Sequence, residues 1–199
     1  MRLFRTPSVL PLLYPSLLWK VDTAEKDVYL TFDDGPVPGP TEFVLETLRT
    51  FDIKATFFCI GDNIQKHPGI FQKVLDAGHA IGNHTFNHLN GWRTPAATYL
   101  ENINKCELNV RLFRPPFGRI KRSQISLLTD YRIVMWDVLT YDYDRLLDSD
   151  KCLNGSLKAV RPGSIIVFHD SIKAEKNLTY VLPRFVDSCV SRGYSFKTL

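Results

Sequence analysis

The chain has 199 residues, 44% hydrophobic and 23% charged, which is ordinary for one globular domain with a sizeable core. Its net charge of +4 is too mild for a nucleic-acid binder, and there is no basic run or interleaved Arg/aromatic platform. The four cysteines, Cys59, Cys106, Cys152 and Cys189, are scattered, which argues against a cysteine zinc site and a disulfide-dense scaffold and favours reduced thiols.

The first 27 residues combine a basic start with an apolar run over 9–13. Pro7, Pro11 and Pro15 punctuate that run, and no small-residue cleavage site follows. The expectation is a lead-in over 1–27 that packs on a domain spanning 28–199. It is too short to span a membrane, and no other stretch can do so. Without an export signal, the cytoplasm is favoured over the cell envelope. Nothing in the pattern specifies an oligomeric state.

Residues 27–30 begin a β-branched and aromatic run that leads into Thr31-Phe32-Asp33-Asp34-Gly35-Pro36. Apolar spacing predicts a helix over 41–51, a buried strand over 54–60 and a helix over 70–77 closed by Gly78. A short strand over 79–82 runs into Asn83-His84. A helix is expected over 95–110, a brief strand over 112–114, a helix over 124–129 and a strand over 132–137. A helix over 151–160, a buried strand over 164–168, a helix over 181–191 and a strand over 194–197 complete the chain. Strands alternating with helices imply parallel βα units in a small barrel or an open sheet.

The unusual polar residues fall where strands end: Asp33-Asp34, His84, Arg114, Asp137 with Asp142, and His169. In an α/β barrel those ends form the functional face, so residues distant in sequence converge there. At the end of the first strand Gly-Pro stops the pleat, and both aspartates can then turn towards one centre. Two such close carboxylates need a cation or a proton between them. His84 and His88, at i and i+4, are expected on one side of a helical turn and able to grip one metal. With Asp34 as third ligand they make the set of two histidines and one acid that leaves a catalytic zinc an open position, and Asp33 stays free as a base. His67, before Pro68, and His79, opening a strand, are read as structural.

These residues resemble the NodB-homology polysaccharide deacetylases, carbohydrate esterase family 4, whose five motifs occur in order from Thr31 to His169. The resemblance implies a distorted, incomplete (β/α) barrel. It implies that Asp33 is the catalytic base, that Asp34, His84 and His88 bind the metal, and that Arg114 orients the base. Arg114-Pro115-Pro116-Phe117-Gly118 would form one groove wall, with Pro116, Phe117 and Gly118 as substrate contacts. The fourth motif, an Asp followed by Trp, aligns with Asp142-Tyr143, a departure that bears on groove shape. Asp142 is preferred over Asp137, which follows Trp136, because an aromatic follows Asp142. The fifth motif makes His169 the catalytic acid, supported by Asp142, with Val167 and Phe168 shaping a pocket for an acetyl methyl. The implied substrate is an acetylated glycan or oligosaccharide and the implied cofactor zinc, with cobalt or nickel also accepted by such a site. An O-acetyl esterase, a small-amide hydrolase and a silent carbohydrate-binding domain are the alternatives.

Overall fold

The computed structural model describes residues 2–199, so Met1 of the lead-in lies outside the described residues. Eight strands form one sheet: β1 (Asp27–Asp33), β2 (Thr56–Cys59), β3 (Ala80–Asn83), β4 (Leu112–Phe113), β5 (Arg132–Ile133), β6 (Val138–Leu139), β7 (Ile165–His169) and β8 (Ser195–Lys197). Their order is β5-β4-β3-β2-β1-β7-β6, and every ladder is parallel. β8 pairs in parallel with the first residues of β1, and the Leu199 amide reaches the Thr56 hydroxyl, so β8 lies end to end with β2. The helices are α1 (Val9–Leu13), α2 (Pro40–Thr50), α3 (Gly61–Lys66), α4 (Pro68–Asp76), α5 (Ala96–Asn104), α6 (Arg122–Ile125), α7 (Ser149–Ala159) and α8 (Glu175–Ser191). The sheet curls into a partial barrel, the distorted, incomplete (β/α) barrel that the motifs imply.

Side-chain alternation divides the sheet into two faces. Val28, Leu30 and Phe32 of β1, Phe57 and Cys59 of β2, and Ile166 and Phe168 of β7 point outwards. There they join α2, α7 and α8 in the main core. The intervening positions face the barrel interior, which holds Phe58, Val134 and Ile165. Asp33 and His169 are therefore inward residues, placed side by side by the β1–β7 register.

Several elements differ from the sequence reading. The strand expected over 132–137 breaks: β5 ends at Ile133, β6 starts at Val138, and 134–137 cross between them. The break leaves the Val134 and Met135 carbonyls free to accept from Arg114 rather than from a neighbouring strand. β5 and β6 do not pair, and this seam is where the barrel stays incomplete. The lead-in lies along it, with Leu18 bridging Val134, Lys20 bridging Ser164 and Arg5 bridging Val138. The helix expected over 95–110 stops at Asn104, because Ile103 is the last residue of its buried stripe. The helix expected over 181–191 starts earlier, at Glu175, and runs through Pro183. Proline there forfeits the bond to the Thr179 carbonyl, and the buried stripe Leu178, Val181, Leu182, Phe185, Val186 and Cys189 outweighs the loss. The helix α3 carries mostly polar residues, so hydrophobic periodicity gives no sign of it. All four cysteines are free thiols. Among the described residues, no helix is long and apolar enough to cross a membrane.

Candidate active site

Five strand ends supply the site. Asp33 is the last residue of β1, His84 follows β3, Arg114 follows β4, Asp142 follows β6, and His169 ends β7. Arg114 is fully buried inside the barrel, its guanidinium 4.1 Å from the centre of the Phe58 ring. It donates to Asp33 Oδ1 at 2.6 Å, to Thr31 Oγ1 at 2.7 Å and to the carbonyls of Val134 and Met135 at 3.3 and 3.0 Å. Burial works against the charge of Arg114 and lowers its pKa, while the Asp33 carboxylate pulls the other way. A side chain so fully partnered leaves its neighbour one orientation.

Asp34 has φ +83°, a left-handed conformation that an aspartate adopts only at a cost. This breaks the strand alternation and turns its carboxylate to the same side as Asp33, as the Gly-Pro turn predicts. The turn is clamped from β7: Asp170 accepts from the Gly35 amide at 3.0 Å and from the Thr41 hydroxyl at 2.6 Å. Its own amide donates to the Asp33 carbonyl at 3.1 Å. A Cβ on Gly35 would sit 1.9 Å from Asp170 Oδ2, so only glycine fits.

His84 and His88 do converge, but not on a helix, which corrects the expected helical turn. Residues 84–88 form an irregular loop with Thr85 at φ +63° and His88 at φ +54°. The Asn83 side chain accepts from the Thr85 amide and the Thr85 hydroxyl from the Leu89 amide, which folds the loop back on itself. The imidazole centres lie 5.1 Å apart. His88 Nε2 is 3.2 Å and His84 Nε2 3.8 Å from Asp34 Oδ1. One ligand atom from each of Asp34, His84 and His88 falls within 4.8 Å of the others, a grouping that can hold a metal ion.

The donor chemistry fits a divalent ion. His84 Nδ1 lies 2.7 Å from the Arg114 carbonyl, which can only accept, so Nδ1 carries the proton and Nε2 offers its lone pair. Burial pushes the His84 imidazolium down to about 4 against the pull of Asp33 and Asp34, so the ring is neutral at pH 7. Burial raises the Asp34 carboxyl, yet the hydrogen bond from His88 and the charge of His169 hold it well below the usual carboxylate range. Two imidazoles and one carboxylate make a set that zinc and similar ions accept.

Across the cleft, His169 Nδ1 lies 2.7 Å from Asp142 Oδ1, and its amide donates to Asp142 Oδ2 at 2.7 Å. Burial works to lower this imidazolium, but the Asp142 carboxylate, with added pull from Asp34 and Asp33, raises it to about 9. Asn177 of α8 donates to the carbonyls of Asp142 and Asp144 at 3.1 Å each and so pins the loop that carries Asp142. Asp137 is remote from this dyad: it pairs with Arg161 and Ser164 at the opposite end of β7.

The cleft has a volume of ≈ 360 Å³ and is lined by Asp33, Asp34, His84, His88 and His169 together with Phe117, Tyr143 and Val167. Three expected contacts lie elsewhere. Phe168 is on the outward face of β7, packed against Phe32 and Phe185, because strand alternation turns it away from Val167. Leu139 takes up the apolar position beside Val167. Pro116 is buried behind the wall, and Gly118 supports the Trp136 indole rather than the cleft. Arg119, Trp136 and Lys173 line the cleft without having been singled out in the sequence. Asp170, Asn177 and Thr31 were also missed. Their roles come from contacts across the fold, and the only local sign was Asp170 adjoining His169.

Comparison with known proteins agrees with this geometry. The family model for polysaccharide deacetylase matches residues 20–136. A peptidoglycan-N-acetylglucosamine deacetylase of Bacillus cereus is 34% identical over 87% of this chain, which spans 66% of that relative. A chitooligosaccharide deacetylase of Azorhizobium caulinodans is 35% identical over 76% of this chain and 77% of its own length. The crystal structure of the Bc1960 peptidoglycan N-acetylglucosamine deacetylase superposes with a TM-score of 0.89 at 30% identity, covering 98% of this chain and 95% of its own. A family match over more than half of the residues, with one fold throughout, places this chain in the polysaccharide deacetylase family.

Proposed function

We propose that this protein is a zinc-dependent hydrolase that removes N-acetyl groups from the amino sugars of a glycan. The observation that carries the reading is the pair of oppositely poised groups flanking the Asp34, His84 and His88 cluster. One is a carboxylate held by a buried arginine, and the other an imidazole held charged by a buried carboxylate. Relatives named for deacetylating peptidoglycan and chitooligosaccharides support the substrate class.

Asp34, His84 and His88 would hold the ion, which when bound supplies Lewis acidity towards the acetyl carbonyl and lowers the pKa of a water. Asp33 accepts the proton of the attacking water, its carboxylate aimed by Arg114 at 2.6 Å. Amines leave poorly unless protonated, so the other side of the cleft needs an acid. With Nδ1 committed to Asp142, His169 delivers its proton from Nε2 to the departing nitrogen. Val167 and Leu139 offer an apolar surface for the acetyl methyl.

The test is acetate release from N-acetylglucosamine oligomers and from peptidoglycan, before and after stripping metal with a chelator. Release that stops on stripping and returns with zinc is the expected result. Release restored by cobalt or nickel but not by zinc would reassign the ion. Release only from O-acetyl esters would move the activity to an esterase. No release and no bound metal would leave a silent carbohydrate-binding domain.

A further inference from the structure

The lead-in presents an apolar face that the fold does not use. Its helix α1 has no buried residue. Val9, Leu12 and Leu13 stand at i, i+3 and i+4 on one side, each more than half exposed and Leu12 at 80%. The segment is nonetheless fixed. Leu10 and Tyr14 pack on the core cluster that holds Leu17 and Trp19, and the Trp19 indole donates to the Tyr14 carbonyl at 3.0 Å. Leu10 and Tyr14 also line a hollow of ≈ 370 Å³, whose other walls include the exposed Leu3 and Trp92. Exposed leucines scattered singly need no explanation, but a cluster on an anchored segment does.

Cations border this patch, and no carboxylate answers them. The Arg122 guanidinium lies 5.6 Å from the Tyr14 ring, and the Lys121 ammonium donates to the Thr94 carbonyl at 3.1 Å. The Arg119 guanidinium lies 5.3 Å from the Trp92 ring, and the exposed Arg93 follows that tryptophan in the chain. Among the described residues, none of these four cations makes an ion pair. The stretches that build the face, 2–21, 86–100 and 108–129, contain no Asp or Glu. A face with cations and no acid of its own attracts an anionic partner.

A soluble anionic polymer would engage the cations and leave the leucines idle. An apolar protein surface would cover the leucines and bury cations without a counterion, which is costly. An anionic bilayer takes both, apolar side chains at the acyl boundary and cations at the phosphates. Trp92 is of the residue type that settles at headgroup level.

We infer that this face docks on an anionic phospholipid bilayer as a peripheral contact. Val9, Leu12 and Leu13 enter the headgroup–acyl boundary, and Arg93, Lys121 and Arg122 meet lipid phosphates. The hollow shares Phe117, Trp136 and Leu139 with the cleft, so docking brings the mouth of the cleft to the lipid surface. The inference does not depend on the reaction assigned to the cleft.

The experiment is co-sedimentation of the full chain with vesicles of phosphatidylcholine alone, and of equal parts phosphatidylcholine and phosphatidylglycerol. The wild type should bind the mixed vesicles and not the neutral ones, and added salt should weaken the binding. Arg93→Gln, Lys121→Gln and Arg122→Gln together should lower partitioning on the order of 100-fold, about fivefold for each cation. Leu12→Ser with Leu13→Ser should lower it about tenfold or more. All five side chains lie outside the core, so both proteins should keep the wild-type melting temperature, which separates lost docking from lost folding. A wild type that ignores the mixed vesicles would overturn the inference. Binding abolished by the triple variant and untouched by the leucine variant would assign the face to a soluble anionic polymer and overturn it as well. So would wild-type dimers that the leucine variant dissolves without any vesicle binding, because the patch would then belong to a second copy.

Discussion

Two aspartate–arginine pairs stand at opposite ends of the barrel, Asp33–Arg114 and Asp137–Arg161, each closed at 2.6 Å. Both carboxylates are buried, and by distance alone the pairs are equivalent. They differ in how the carboxylate is used. Asp137 has both oxygens occupied, one by Arg161 and the other by Arg161 and Ser164, and it lies at the start of β7. Asp33 commits Oδ1 to Arg114 and lines the cleft at the end of β7. The cations differ as well: Arg161 is half exposed, whereas Arg114 is wholly enclosed. A saturated pair at the bottom of a barrel is fabric, and the same pair at the top, left partly free, can take up a proton.

The sharpest way to break this comparison is to neutralise each aspartate. Asp33→Asn should lower turnover about 10²–10⁴-fold while keeping bound metal, whereas Asp137→Asn should leave turnover intact. Metal analysis alongside acetate release checks both, and an Asp33→Asn protein without metal would mean that base and ligand have been exchanged. Asp34→Ala and His84→Ala, by contrast, should empty the site.

Next in size is the arginine pair. Arg114→Leu should destabilise the fold by about 3–5 kcal/mol, because it leaves a buried carboxylate and two carbonyls without their donor. Thermal or urea unfolding measures it, and a loss as small as that of Arg161→Leu would show that the two pairs do not differ as described.

A third prediction concerns the dyad opposite Asp33. Deprotonation of His169 removes the acid, so the activity should fall on the alkaline side as pH rises through about 9. Asp142→Asn removes the chief source of that raised pKa, so the fall should move towards the ordinary imidazole value of about 6.5. The stability linkage has the same origin. A pKa raised in the fold stabilises fully below the unfolded value, and that contribution is lost as pH rises from about 6.5 through about 9. Urea titrations across this window should therefore show a pH-dependent loss in the wild type that Asp142→Asn flattens. The smallest effect belongs to Arg161→Leu, about 1 kcal/mol, since its exposed guanidinium is screened by water.

The sequence made the active face legible because strand-end polar residues are conspicuous against apolar strands. Asp33, Asp34, His84, His88 and His169 were visible for that reason, whereas the alternation of strands and helices left barrel and open sheet both possible and only the motif resemblance pointed to the barrel. What stayed hidden depends on neighbours brought in by the fold. Phe168 looked like a pocket residue beside His169, but the period of two sends it to the other face. The 84–88 loop reads as a helical turn by spacing, yet two left-handed residues produce the same convergence. Asp137 and Asp142 look alike in sequence, but Asp137 immediately precedes the sixth strand and Asp142 follows it, so they stand at opposite ends of the barrel. His79 and His84 are both driven down to about 4 chiefly by burial. What distinguishes them is company: His79 accepts the Ala55 amide beside Phe57, while His84 faces Asp34.

The open seam between β5 and β6 has a consequence for how the molecule is made. The Thr6 hydroxyl meets the Trp136 carbonyl 130 positions away, and Leu18 reaches Val134 across a similar distance. The lead-in, which precedes the fifth and sixth strands in the chain, must therefore wait for them before it has a place to lie. Such long loops close late and slowly. The aromatic wall around Trp136 is thus finished by a segment made well before it, and the cleft should reach its working shape only late in folding.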